Sequence, residues 1–457
     1  MKTSRHSLIL SNLLAAMLSI VALPAAAWSN HALGTWQALS GTLASDKTAD
    51  VRVESLASFL HTEGRALESL LQQEEQWARA NVPEYPQRPD NIAYRSTPDA
   101  TQNTKKFIAA LRINPHAKLP LYLQLQPGAD ARDKRLLPWS EVTMLQHSMS
   151  VINAQFIRLQ ENETVAALDV VASASDEPDY GLDLGLWNNN PNAQTLGYGF
   201  GKQPFGNPAL EYSTQAPFHM GFFHESPIVY QAAGFLRRTY PEYRIHLYQT
   251  LSRHAFSTGH AYWGWRFAGW ALHYVQDLTQ PYHTTVLPGV SVPRMLWINA
   301  LDLMGFHDSK RDVIMLVSNR HAALENYQYR RMRAAYLRKD HEDALLRAIQ
   351  ATTTMPASPA QPYSPSQVRQ RISLQSHAAA NDTDAMLEHV LPAKYISDPH
   401  YILGETEPDL DMLTVLASLT PEQQTRMTNT VADLMKNFGA HSRTFMQAML
   451  PLSSAQK

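Results

Sequence analysis

Between residues 53 and 80, Leu56, Phe59, Leu60, Leu67, Leu70 and Leu71 recur three and four positions apart, the spacing of a helix with one buried face. The polar run Gln72, Gln73, Glu74, Glu75 and Gln76 then reads as the solvated side of that helix. Residues 82–98 carry Pro83, Pro86, Pro89 and Pro98 and predict an irregular connector. Helix is predicted again over 105–113. Leu119, Leu121, Leu123 and Leu125 alternate at period two, which predicts a short extended piece, and Pro120 and Pro127 confine it to a sheet edge or a loop. Residues 188–208, rich in Asn and Gly, form a long loop. Residues 228–256, 374–391 and 421–449 return to helical spacing, while 351–366 is Thr/Pro/Ser-rich and reads as a loop or linker. The pattern as a whole predicts an all-α, multi-helix fold with long loops and insertions and no internal repeat.

The most unusual stretch lies in the middle. Residues 259–272 carry Trp263, Trp265, Phe267 and Trp270 with a single charge, Arg266. A helix that is apolar nearly all round is a buried one. It runs into His273-Tyr274-Val275-Gln276-Asp277-Leu278-Thr279-Gln280-Pro281-Tyr282-His283. His273 and Asp277, four apart, project from one helical face. Pro281 forces a turn, which can return His283 to the same place. Downstream, His321 and Glu325 repeat the four-residue spacing. The chain has 19 His and no Cys, so a metal site here must use imidazoles and carboxylates. Five candidates exceed the needs of one zinc, so more than one metal is expected. Metals a few ångströms apart can clamp the attacking and leaving oxygens of a phosphate ester.

The run HYVQDLTQPYH, followed by His321-x-x-x-Glu325, resembles the core motif of the zinc-dependent phospholipase C and P1/S1 nuclease superfamily. That resemblance implies a helical fold binding three zinc ions. It also implies that one zinc is held through the amino group and carbonyl of a mature N-terminal tryptophan. The N-terminus fits this. Lys2 and Arg5 precede an apolar run from Leu8 to Leu23, and Pro24-Ala25-Ala26-Ala27 supplies an Ala-x-Ala cleavage site. Residues 1–27 are thus expected to be a Sec-type bacterial signal peptide. Residues 28–457 would form one exported domain, periplasmic or secreted, beginning at Trp28. Net charge is −2, which does not suggest a protein that grips nucleic acid through a basic surface. No stable protein partner is evident in the sequence.

The resemblance also assigns ligands elsewhere. His31, shortly after Trp28, would complete the third zinc site with Asp277 bridging. The acidic run from Ser175 to Asp183 would supply an Asp that binds zinc and acts as catalytic base. Asp179, followed by Tyr180, matches best, with Asp176 and Asp183 as alternatives. A zinc-binding His beside aromatics would be His219, with His224 as alternative. Tyr180 and Phe218 would line the substrate pocket. His273, Asp277, Asp179 and His219 would then hold one zinc, and His283, His321 and Glu325 a second. Glu325 in place of Asp favours the phospholipase C branch. The function implied is hydrolysis of phosphatidylcholine-type phospholipids at a membrane surface, by metal-activated water, to diacylglycerol and phosphocholine. The alternatives are a P1/S1-like single-strand nuclease or 3′-nucleotidase acting on nucleic acid, and a non-catalytic metal-binding exported protein. Residues 286–306 depart from the family pattern; their polar face is not basic, which favours a packed core helix over a lipid-facing one.

Overall fold

The computed structural model describes residues 28–43, 50–145, 153–191, 196–208, 211–351, 365–403, 406–407 and 409–449. The expected leader over 1–27 and most of the expected linker over 351–366 lie outside the described residues. The fold is all-α. The helices that matter for the site are α1 (His31–Leu43), α2 (Leu56–Asn81), α3 (Ala100–Leu111), α4 (Ala167–Ala174), α5 (Ala216–His219), α6 (Pro227–Ala232), α7 (Pro241–Ser257), α8 (Ala261–Asp277), α9 (Pro281–Thr284), α10 (Val292–Leu303), α11 (Asp308–Leu337), α12 (Ala344–Gln350), α13 (Leu374–Val390) and α14 (Pro421–Met449). Strands β1 (Val51–Arg52) and β5 (Thr164–Val165) pair antiparallel, and β2 (Tyr122–Leu125), β4 (Gln155–Arg158) and β3 (Leu136–Leu137) form a second small sheet in the order β2-β4-β3. β2 is an edge strand, as the prolines around it required.

Local chemistry sets the helix ends. The Ser55 hydroxyl accepts from Ser58 N at 3.1 Å and opens α2, and Asp99 accepts from Gln102 N at 2.7 Å and opens α3. The predicted apolar stripe of α2 is the buried one: Phe59, Leu60, Leu67 and Leu71 are enclosed. Glu74 and Glu75, expected to be solvated, are buried instead. Glu74 takes a hydrogen bond from His246 Nδ1 at 2.8 Å, and Glu75 accepts from Arg79 at 2.7 Å and Tyr85 at 2.8 Å. A buried carboxylate costs several kcal/mol unless paired in this way, and the partners His246 and Tyr85 are remote in sequence.

Helix α8 is the centre of the molecule. It packs among α4, α7 and α14, and every residue from Tyr262 to Asp277 is buried. Its one charge, Arg266, is neutralised inside the core: the guanidinium contacts Glu177 at 3.0–3.1 Å, and the Trp270 indole donates to the same carboxylate at 2.5 Å. Two glycines allow the close packing. A Cβ on Gly264 would lie 2.6 Å from the Phe256 ring of α7, and one on Gly269 would lie 2.6 Å from Ala174 Cβ and 2.7 Å from the Val171 carbonyl of α4.

Helix α10 corrects the expectation of a packed core helix. It lies against α6 and α11 and buries Met295, Ile298 and Asp302. The other side is open: Leu296, Trp297 and Leu303, with Met304 and Phe306 just beyond, are exposed, Trp297 by 62% and Phe306 by 64%. Sequence spacing places apolar residues on helical faces but does not say whether a second layer covers each face. The segment 228–256 also differs from one continuous helix, breaking into α6, a 3-10 turn at Gly234–Arg237, and α7. Pro241, as the first residue of α7, starts a new helix.

Gly269 provides a test of the packing. Alanine is the better helix former by about 1 kcal/mol. Here the added methyl meets backbone of a neighbouring helix, and overpacking of this kind costs about 1–3 kcal/mol. Gly269→Ala is therefore expected to lower the denaturation midpoint. A midpoint equal to or above that of the parent would show that α4 yields easily.

Candidate metal centre

Asp277 ends α8 and is completely buried. Its two oxygens face different imidazoles. Oδ1 lies 3.3 Å from His31 Nε2, while Oδ2 lies 2.8 Å from His219 Nδ1 and 3.3 Å from His273 Nε2. Asp179 Oδ1 closes the group at 3.6 Å from His219 Nδ1 and 3.7 Å from His273 Nε2. His283, His321 and Glu325 form a further compact group, with His321 Nε2 2.7 Å from Glu325 Oε1. Buried clusters of this composition can hold metal ions: His31, Asp179 and His273 form one candidate set, His219, His273 and Asp277 another, and His283, His321 and Glu325 a third.

His31, His273 and His283 are each aimed by a hydrogen bond on the far side of the ring, His219 by the nearby Asp183 carboxylate and His321 by stacking. His31 is the first residue of α1, whose start is fixed by Asn30 in the left-handed conformation, its side chain accepting from Leu33 N at 2.8 Å. The Gln276 amide donates to Thr35 and Ser442, so its oxygen is the acceptor for His31 Nδ1 at 2.7 Å. The Nε2 lone pair of His31 is left facing Asp277. His273 Nδ1 donates to the Ser175 carbonyl at 2.8 Å, one of the carbonyls left without an intrahelical partner where α4 ends. The close approach at Gly269, one turn before His273, brings that carbonyl within reach. His283 Nδ1 donates to the His219 carbonyl at 3.2 Å, and Gly221 N returns a bond to the His283 carbonyl at 2.8 Å. His219 presents Nε2 to Asp183 at 3.4 Å, leaving Nδ1 for the cluster. The Tyr282 ring stacks on His321 at 5.2 Å with a 13° tilt. Gln280, whose oxygen accepts from Tyr282 N, turns its amide hydrogens toward Glu325 at 3.1 Å. Rings fixed on one nitrogen and bare on the other are how proteins prepare histidine for a metal.

Among the described residues, nothing satisfies the inner atoms. His31 Nε2, Asp277 Oδ1, His283 Nε2 and His321 Nε2 are buried without a hydrogen-bond partner. His321 Nε2 and Glu325 Oε1 are close yet out of line for a hydrogen bond, as two lone pairs aimed at a common point would be. A buried polar atom left unpaired costs about 1–3 kcal/mol, and cations held in these neighbouring groups would pair with all four. The donors are imidazole nitrogens and carboxylate oxygens, which suit zinc.

The positions named from sequence divide clearly. Trp28, His31, Asp179, His219, His273, Asp277, His283, His321 and Glu325 lie at or beside the centre. Trp28 is buried, its indole donating to Thr279 at 3.0 Å just past the end of α8. His224 is elsewhere, with Nε2 on the Arg369 carbonyl at 2.9 Å. Asp183 stands behind His219, held by Arg244 at 2.5 Å and by Tyr274 at 2.6 Å. Asp176 accepts from the Gln124 amide at 2.9 Å. Tyr180 and Phe218 do not line an open pocket. The Tyr180 hydroxyl is spent on Gln124 at 2.5 Å within the small cluster under the β2-β4-β3 sheet, and Phe218 is fully enclosed among Trp187, Phe200 and Tyr240. Gln276, Ser175, Asp183 and Gln215, which donates to Asp179 at 3.1 Å, are orienting groups that no helical spacing in the sequence identifies.

Burial opposes charge on His31, but the Asp277 carboxylate beside it, with Asp179 and Asp176 beyond, outweighs that and raises the imidazole to about 9. Burial likewise opposes charge on His219, and its bonds to Asp183 and Asp277 raise it to about 10. Burial drives His283 and His321 down to about 3 each. Burial raises the Glu325 carboxyl well above the usual range. Burial also opposes ionisation of Asp277, but the surrounding imidazoles hold it well below the usual carboxylate range. No protein-family model matches the chain, and no curated protein or solved structure is detectably similar to it.

Two measurements follow from this geometry. At pH 7 a cation must displace the protons of His31 and His219, so apparent affinity should rise with pH until about 9–10 is passed. Calorimetry in buffers of different ionisation enthalpy should register that release; heats independent of buffer would contradict it. Gln276→Leu frees the His31 ring and should weaken metal binding about 10–100-fold in competition with a chelating dye.

Proposed function

We propose that the chain is an exported zinc phosphodiesterase, resembling the phospholipase C and P1/S1 nuclease superfamily, and that it acts as a phospholipase C on phosphatidylcholine-type lipids. The observation that carries the hydrolase assignment is the set of bare, buried atoms His31 Nε2, Asp277 Oδ1, His283 Nε2 and His321 Nε2, standing in groups completed by Asp179, His219, His273 and Glu325. Asp179, Asp277, His219 and His273 would hold one zinc, and His283, His321 and Glu325 another. His31 and Trp28, with Asp277 bridging, would hold a third once processing after Ala27 frees the Trp28 amine. Bound there, zinc supplies Lewis-acid charge for the phosphoryl oxygens and lowers the pKa of a water.

The protein's own groups provide the rest. Asp179 is the one acid of the centre with appreciable exposure, its side chain 19% accessible against 0% for Asp277 and 4% for Glu325. It is therefore the carboxylate that arriving water and substrate can reach. Gln215 holds Oδ1 at 3.1 Å, leaving Oδ2 to accept a proton from the attacking water. The water oxygen bonds to phosphorus as the phosphorus–oxygen bond to glycerol breaks, and the proton taken up at Asp179 passes to the departing oxygen, leaving diacylglycerol and phosphocholine.

Two observations favour lipid over nucleic acid as substrate. An apolar pocket of about 130 Å³ has His321 and Tyr282 in its wall, and α10 lines it with the part-exposed Leu296 and carries the exposed Trp297 next in sequence. Trp and Leu on one side of a helix suit a lipid interface. No described helix is long and apolar enough to cross a membrane, so contact with lipid would be peripheral.

The deciding experiment offers zinc-loaded protein starting at Trp28 both phosphatidylcholine and single-stranded DNA, with a chelator control. Chelator-sensitive diacylglycerol and phosphocholine are expected. Nucleotide products with intact lipid would assign the nuclease alternative. Bound zinc with neither product would leave a non-catalytic metal protein. A variant with one residue added before Trp28 should retain two zinc ions rather than three by elemental analysis.

A further inference from the structure

The apolar pocket lies outside the main core. Its wall is a separate cluster built from Phe205, Ala216, Met220, Phe222, Val229 and Leu236, completed by Met295 of α10. Val313, Ile314 and Val317 of α11 face it, and so does His321, one turn beyond Val317. Its one cationic lining residue, Lys310, is neutralised by Asp302 at 2.9 Å. A water needs about 10–15 Å³ of such space, so the roughly 130 Å³ here is about ten times that. A void of this size with so few polar partners is poorly suited to water and well suited to a hydrocarbon chain.

We propose that this pocket is the binding site for one hydrocarbon chain of an amphiphile whose phosphate lies at His283, His321 and Glu325. His321 belongs to both the pocket wall and the metal-ligand group, so a single ligand can place its polar end on one and its apolar end in the other. Leu296 lines the pocket and is 37% exposed beside Trp297. The pocket thus opens at the apolar edge of α10, where a chain leaving a lipid layer would enter without crossing water. The polar half of this assignment rests on the phosphodiesterase reading, whereas the apolar half rests on the cavity.

The test uses alkylphosphonates of eight, ten and twelve carbons, below their micelle concentrations, titrated calorimetrically into the zinc-loaded full chain. Their carbon–phosphorus bond is not hydrolysed. Affinity should rise about fourfold per added methylene until the pocket is full, the factor equivalent to ~0.8 kcal/mol. Chelation should weaken all three ligands by a common factor and preserve the chain-length series. Val317→Trp and, independently, Leu287→Trp, at a second residue of the pocket wall, should abolish the series with zinc content retained. Affinity independent of chain length in the parent protein overturns the proposal, as does an unchanged series in both filled variants. If the series is present but no phosphodiester is cleaved, the hydrolase assignment fails and the pocket stands. If phosphatidylcholine is cleaved while chain length has no effect, the pocket assignment fails alone.

Discussion

A carboxylate sealed completely inside a protein has to be paid for, and the enclosure of Asp277 is the constraint from which the rest of the structure follows. Isolated, such a charge would be driven to neutrality by burial. Here three imidazoles surround it, two on one oxygen and one on the other. They come from two remote parts of the chain and its own helix: His31 opens α1, His219 closes α5, and His273 lies one turn back on α8. Without a cation, protons on His31 and His219 balance the charge. With one, those protons leave and the same atoms become ligands. Folding α1, α5 and α8 around one point and preparing that point for metal are therefore the same event.

Other buried acids show what an ordinary structural solution looks like in this protein. Glu177 is enclosed by Arg266 and Trp270, Asp183 by Arg244 and Tyr274, and Glu74 by His246 and Thr250. The centre is different in kind, because donor atoms converge there and stay bare. The structural acids also serve it. Asp183 backs the His219 ring, and Glu177 anchors the end of α4 to α8, next to the Ser175 carbonyl that aims His273. Removing a partner such as Arg266 would leave Glu177 buried and unpaired, at a cost of about 3–5 kcal/mol, and would loosen the outer layer that positions a ligand.

What could be read from the sequence was set by distance along the chain. The pairs His273/Asp277 and His321/Glu325 are legible because four-residue spacing on a helix is local geometry. The all-α class and the span of α14 follow from apolar periodicity in the same way. Asp179 and His219 were reached only through the resemblance, since no local rule links residues forty apart. Gln276 is invisible as an orienting group because its partner His31 lies 245 positions away. The same reason explains the misplacement of Glu74, Tyr180 and Phe218: composition marks Glu74 as polar surface, the resemblance puts Tyr180 and Phe218 at the substrate pocket, and only packing reveals the partners that enclose them. Helix α10 failed oppositely. Its apolar residues implied a covered face, and the folded chain leaves much of that face open.

The division between the main core and the pocket cluster bears on how such a protein could change specificity. His31, His273, Asp277, His321 and Glu325 stand on the long helices α1, α8 and α11, with His219 and His283 on the short α5 and α9, and all seven are buried, so a displacement there disturbs charge balance as well as packing. The pocket wall instead belongs to a small cluster made by α6, α10 and the loops beside them, and it meets the centre through Tyr282 and His321. Tyr282 is itself fixed, its hydroxyl donating to Asp384 at 2.8 Å while its ring stacks on His321. Substitutions at Met295, Leu296 or Ile298 can therefore alter the space offered to an apolar group while Tyr282 keeps the His321 ring in place. A fixed candidate metal centre beside a replaceable apolar wall places ligand geometry and pocket shape on separate structural elements.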